Sequence, residues 1–429
     1  MSVADPDDRP ADAPAGAGAG ALPGRAAMRF IMLVVLIDML AVGIIVPVLP
    51  AMVGQFTADP ADQARWYGIV VVSYAIAQFV AAPILGALSD RYGRRPVLLL
   101  GFTGLALNFF ATALATAAWM LVASRIVGGA MQANAAVANA YVADITPPHE
   151  RARRFGMLGA MFGIGFILGP VLGGLLGGID VRLPFVAAGV LALLNLAYGW
   201  FVLPESLPPA ARHRTAWWAA NPLRSFRQLA ALRGVGVLVG VLAFAGLAQF
   251  SLYTSWVLYG THRYGWGPTE SGWSLFAVGL VAAFVQGGLL GRLLRVFGAR
   301  RLAIIGLLSS TLAYVAWGLA TTSLMLYVIV FANILGAAVA SSLQGMVSAA
   351  ADETVQGQTM GAVSSLNSLT AVVAPVLVTP LLMTMTSFPA ADWRSGLPMF
   401  FCAALQAVAL TLALLHARRH PAAAAVPSR

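Results

Sequence analysis

The chain of 429 residues is 59% hydrophobic and only 10% charged; soluble domains run at roughly 45–50% and about 25%, so a soluble globular protein is excluded. Its net charge of +10 comes from 26 basic residues, all of them arginine. They are scattered between apolar segments, which excludes a basic nucleic-acid-binding face. A chain without lysine has no Walker-type P-loop, which excludes a P-loop ATPase.

Residues 1–24 are acidic and rich in Ala, Pro and Gly, a composition that cannot bury a core and predicts a disordered cytoplasmic N-terminus. Aspartates stand where a signal peptide would need a basic region. Apolar segments then recur at about 29–53, 66–88, 96–117, 119–141, 155–178, 183–203, 234–260, 270–294, 301–320, 323–349, 357–383 and 396–417. Each is long enough for a bilayer core about 30 Å thick. The expected fold is therefore an all-α membrane protein with twelve transmembrane helices in two six-helix halves. The halves are 25–203 and 234–417, joined by a cytoplasmic linker, 204–233, and followed by a cytoplasmic tail, 418–429.

Arginine placement orients the spans. With the N-terminus inside, 21 arginines fall in cytoplasmic segments, 4 fall outside (Arg65, Arg182, Arg263 and Arg394), and Arg125 lies within span 4. Both termini are expected in the cytoplasm.

The loop between spans 2 and 3 reads GALSDRYGRRP, from Gly86 to Pro96. Its counterpart between spans 8 and 9 reads GRLLRVFGARR. At an offset of 205 residues Gly86 meets Gly291, Tyr92 meets Phe297 and Gly93 meets Gly298. Two halves repeating a loop in the same orientation form the parallel repeat of one transporter architecture.

Only Asp38 and Arg125 are ionisable and well inside spans. An intramembrane charge is costly and marks either function or a static buried ion pair. Burial favours the neutral acid and a nearby cation favours the carboxylate, which suits a group that takes and releases a proton. The uncharged polar residues Gln132, Asn134, Asn139, Gln249 and Asn333 fit interhelix hydrogen bonds as well as substrate contacts. Tyr74, Phe250, Tyr253 and Trp256 fit either a ring-lined pocket or core packing. No nucleophile–base pair, metal-ligand spacing or cofactor motif is present. The expectation is no enzyme activity, no metal, no cofactor, and an isolated Cys402 with no intrachain disulfide.

The loop residues Gly86, Asp90, Arg91, Gly93, Arg94 and Arg95 fit G-x-x-x-D-R-x-G-R-R, and the chain here resembles the major facilitator superfamily. Span 5, with Gly165, Gly169, Pro170, Gly173 and Gly174, resembles the G-x-x-x-G-P-x-x-G-G motif of its twelve-span drug:proton antiporters. DMLAVGIIVPVLP, YAIAQ, WMLVASRIVGG and SLQG resemble tetracycline efflux proteins, with the likeness running from about residue 30 to 415.

The resemblance implies a proton-coupled secondary transporter that exports an amphipathic, drug-like compound of the tetracycline class by alternating access. The proton gradient drives it, and no cofactor takes part. It further implies proton coupling at Asp38 and Arg125, and a cavity lined by Gln78, Asn108, Gln286 and Gln344. The loop becomes a latch, with Asp90 against the N-terminus of span 11 and its arginines paired with Asp144 and Glu150. A monomer in the bacterial inner membrane is implied, with a small-molecule substrate, protons and the lipid bilayer as its partners. The sequence departs from the efflux proteins where they carry acids in spans 3 and 9 and a histidine in span 8: here stand Asn108, Ser310 and Ala282. A metabolite or sugar transporter of the same fold, or a non-transporting membrane sensor, remains open.

Overall fold

The computed structural model describes residues 24–132, 134–209, 212, 236–350 and 356–419. Among them every regular element is helical. Nine helices among the described residues are long and apolar enough to cross a membrane, ten with the bent pair in span 10. Residues 210–211 and 213–233 of the predicted linker fall outside the described residues, as do 1–23 and 420–429. The helix of span 1 begins at Gly24, the last residue of the N-terminal segment expected to be disordered.

Local chemistry sets the breaks. Asp59 caps span 2, Pro60–Tyr92, its carboxylate accepting from the Asp62 amide at 2.8 Å, with Pro60 in the first turn, where its missing N–H costs nothing. Spans 2 and 3 are divided at Gly93, whose φ of +104° is strained for any side chain. Gly298 divides spans 8 and 9 with φ +71°. The repeat in the sequence is thus a repeat in backbone geometry, with glycine supplying the left-handed residue each time.

The glycines and proline of span 5, Arg151–Ile179, face two ways. Gly165, Gly169 and Gly173, four residues apart, lie on one face against span 1, Gly24–Ile45. A Cβ on Gly169 would stand 2.6 Å from the Gly43 Cα, and one on Gly165 would stand 2.7 Å from the Met39 Cβ. Pro170 and Gly174 lie on the other face, against span 8 of the second half. A Cβ on Gly174 would reach 2.7 Å from the Pro268 carbonyl and 3.0 Å from the Gly272 Cα. Backbones this close require the absence of side chains.

Among the described residues the halves share a core at one end. A single apolar core holds Val48, Met52 and Tyr67 of the first half together with Trp256, Leu382 and Met385 of the second. Toward the arginine-rich end each half keeps its own core, around Leu98 and Tyr141 in the first and around Leu307 and Val347 in the second. Gly86, Gly287, Gly291, Gly345 and Gly361 there border open space. The described residues are thus packed together across the halves where arginines are scarce and keep separate cores where they are abundant.

Candidate transport cavity and gating loop

Asp38, 8% exposed in span 1, accepts a hydrogen bond at its Oδ2 from the Gln132 amide at 3.1 Å. A void of about 10 Å³ beside it is lined by Val34, Val35, Leu98, Phe102, Ala138 and Phe162. Arg125, 7% exposed, lies over the Tyr74 ring at 5.8 Å, and its Nε and Nη2 have no hydrogen-bond partner. The two charges form no ion pair in this state. Tyr74 stands within electrostatic reach of both. The static ion-pair alternative therefore has no contact to rest on here.

The second half holds a cavity of about 330 Å³. Gln286 and Gln344 line it, as do Ser310 and Ala282. Gln78 and Asn108 do not; they belong to the other half. Asn108 packs beside Gly128, where a Cβ would come within 2.7 Å of its amide, and its Oδ1 is buried without a partner. Of the predicted rings, Phe250 and Tyr253 line the cavity in an edge-to-face pair, 6.2 Å between centroids. Trp256 is core instead, donating its indole N–H to the Ser274 hydroxyl at 3.0 Å.

Two helical irregularities border this cavity. Val285–Leu289 in span 8 forms a π-helical turn that carries Gln286. Span 10 breaks at Asn333 into a 3₁₀ segment, Ile334–Ala338, with a 50° bend. Such irregular backbone is tolerated at membrane depth where it lines a cavity. Sequence reasoning ranked Gln249 and Asn333 no higher than packing residues and missed Asn367 and Gln406, all four of which line the cavity. The available signal was a polar amide within an apolar span.

The signature loop is tied into its own half. Arg94 Nη1 reaches the Asp90 carboxylate at 2.5 Å and the Ser89 hydroxyl at 2.6 Å, and Arg94 Nε reaches Asp144 at 3.0 Å. Glu205, unnoticed in the sequence, accepts from the backbone amides of Arg94 and Arg95 at 2.8 and 3.2 Å, satisfying the open N-terminus of span 3, Arg94–Ala113. Its carboxylate fills the space a side chain at Gly93 would need.

Other loop charges differ from expectation. Arg91 lies over the Tyr92 ring at 5.1 Å, and Arg95 donates to the Trp200 carbonyl. Glu150 pairs with Arg154 at 2.9 Å, which holds its carboxyl below the usual range, and it takes no part in the loop. Asp90 is oriented by Arg94; the side chains at the N-terminus of span 11, where the latch was expected, lie outside the described ones. We expect Asp90→Asn to slow transport several-fold at equal protein level, since it removes the charge from this network and keeps its shape. Wild-type rates in reconstituted vesicles would exclude a gating role.

Among the described residues no cluster of His, Cys, Asp or Glu fits a metal ion.

The profile of the Major Facilitator Superfamily matches residues 31–375 and 238–429. The chain is similar to the class C tetracycline resistance protein of Escherichia coli, at 37% identity over 88% of this chain and 93% of that one. It is similar to the class D protein of Salmonella ordonez at 33%, over 92% and 98%. Among solved structures it resembles a bacterial homologue of the human lysosomal transporter Spinster, inward-facing and unoccupied. That match has TM-score 0.75 and 19% identity, over 93% and 98% of the two chains. It also resembles the human organic anion transporter MFSD10, with TM-score 0.67 and 23% identity over 92% and 100%. With its family profile, its full-length relatives and its helical fold in agreement, the chain belongs to the major facilitator superfamily.

Proposed function

We propose that the chain is a proton-driven exporter of amphipathic, fused-ring compounds of the tetracycline class. It would lie in the bacterial inner membrane as a monomer, with both termini and the arginine-rich end in the cytoplasm. The observation that carries this reading is the pairing of a buried carboxylate, Asp38, in one half with an amide- and ring-lined cavity in the other. Similarity to tetracycline resistance proteins over nearly the whole chain supports the substrate class.

In the state described, each half keeps a separate core toward the arginine-rich end, so substrate would enter from the cytoplasm. Rocking of the halves about their shared core would then expose it to the other side. Asp38 takes the proton and Arg125, held over Tyr74, senses its charge across the first half. The half boundaries at 203 and 234 define the two rocking units. The Gly165–Gly174 motif gives each unit its close contact, to span 1 within the half and to span 8 across it.

Drug susceptibility in a pump-deficient host tests this reading. Expression should raise resistance to at least one fused-ring class. Resistance to tetracycline presented as its magnesium chelate should be weaker than for typical efflux relatives, because Asn108, Ser310 and Ala282 offer that cation no charge or imidazole. Unchanged susceptibility to every class, with the protein present in the membrane, would exclude export.

A further inference from the structure

We propose that Gln406, with Gln249, forms a neutral subsite in the second half that accepts a hydrogen bond from an un-ionised hydroxyl or amide N–H on a metal-free ring compound. The inference rests on the export reading and narrows its substrate. Gln406 lies in span 12, Leu397–Arg419, and is 3% exposed. Its Oε1 is buried with no hydrogen-bond partner, and it lines the cavity of about 330 Å³. A buried carbonyl left unpaired is costly, and more so in a bundle surrounded by hydrocarbon. An unpaired, buried acceptor on a residue that borders a cavity of this size points to a donor that arrives with a ligand.

The surroundings specify the class of that donor. None of the described residues lining the cavity carries a charge, so among them neither a free cation nor a chelated metal finds a counter-charge. Gln249 enters from span 7, Gly236–Tyr264, which packs against span 12. Asn333 approaches from the break in span 10, its Oδ1 already engaged by the Ser309 hydroxyl at 2.8 Å, which leaves its amide N–H₂ to donate. Tyr314 and Trp317 stack at 5.6 Å and supply a flat wall. Donors, an acceptor and rings, without charge, select a planar ligand with un-ionised hydroxyl or amide groups.

The test uses the full chain in detergent, with tetracycline as the probe and its own fluorescence as the readout, in EDTA and in excess Mg²⁺. Wild-type affinity should be no weaker in EDTA. Gln406→Leu, which fills the same volume without an acceptor, should bind metal-free tetracycline about five- to tenfold more weakly, the value of one neutral hydrogen bond. Gln406→Glu keeps an acceptor and adds a charge, so binding should become magnesium-dependent. Melting curves of both variants identify any loss that comes from unfolding, and the Glu variant still decides the question if the Leu variant fails to fold. Wild-type affinity in Gln406→Leu, or an unchanged magnesium response in Gln406→Glu, overturns the subsite and leaves export standing. Failure of the wild-type chain to bind tetracycline in either medium overturns the subsite, while the export reading stands or falls by the susceptibility panel.

Discussion

Asp38→Asn should abolish the accumulation of substrate driven by a pH gradient in inverted vesicles while downhill exchange continues. The amide has nearly the shape of the protonated acid and keeps an oxygen to accept from Gln132, which now donates to Asp38 at 3.1 Å. Span 1 therefore loses no packing against the stripe of Gly165, Gly169 and Gly173. What disappears is the ability to hold and release a proton. Because Asp38 forms no ion pair with Arg125 in this state, removing its charge strands no cation that was previously paired, and folding should survive. The accumulation ratio should fall to unity. Accumulation against a gradient by the Asn variant would remove Asp38 from the coupling role. Loss of both activities together with the folded protein would restore a purely structural reading.

Gly272→Ala should weaken closure at the arginine-poor end and slow transport by tenfold or thereabouts. Gly272, in span 8, meets span 5 where a methyl group would press on the Pro170 carbonyl and stand 3.0 Å from the Gly174 Cα. Both neighbours are backbone in packed helices and have no side-chain freedom to yield. Overpacking of this kind costs about 1–3 kcal/mol, a shift of roughly five- to 150-fold between closed and open conformers. Thr269 is the natural reporter, because its hydroxyl donates to the Gly174 carbonyl at 3.1 Å across the same contact. Placing Thr269→Cys in each background and labelling with a membrane-impermeant maleimide should show several-fold faster reaction in the Gly272→Ala protein. The native Cys402 is fully buried and contributes little background. Unchanged labelling together with unchanged transport would mean that spans 5 and 8 are not the closing contact.

Much of the molecule is written locally in its sequence. Span positions follow from apolar runs, since insertion depends on the composition of about 20 consecutive residues. Gly93 and Gly298 were legible as equivalents because a left-handed φ is a demand on one residue type, met at corresponding places in the two halves. The glycine motif of span 5 was legible for the same reason: a missing side chain at four-residue spacing already states that a helix must approach. Asp38 and Arg125 stood out because a charge in hydrocarbon is expensive wherever its neighbours are.

Everything that depended on partners distant in the chain was decided by the tertiary structure. Glu205 meets the start of span 3 from 111 residues away, and nothing in its local sequence marks it as a helix cap. Gln132 reaches Asp38 across 94 residues, taking the place that the sequence offered to Arg125. Gln406 is one amide among many in apolar spans; only the packing of spans 7 and 12 around a void turns it into an unpaired acceptor. The end at which the halves part is likewise absent from the sequence. Both ends are built from similarly apolar helices, and the balance between the two conformers is set by contacts between halves that no local pattern encodes.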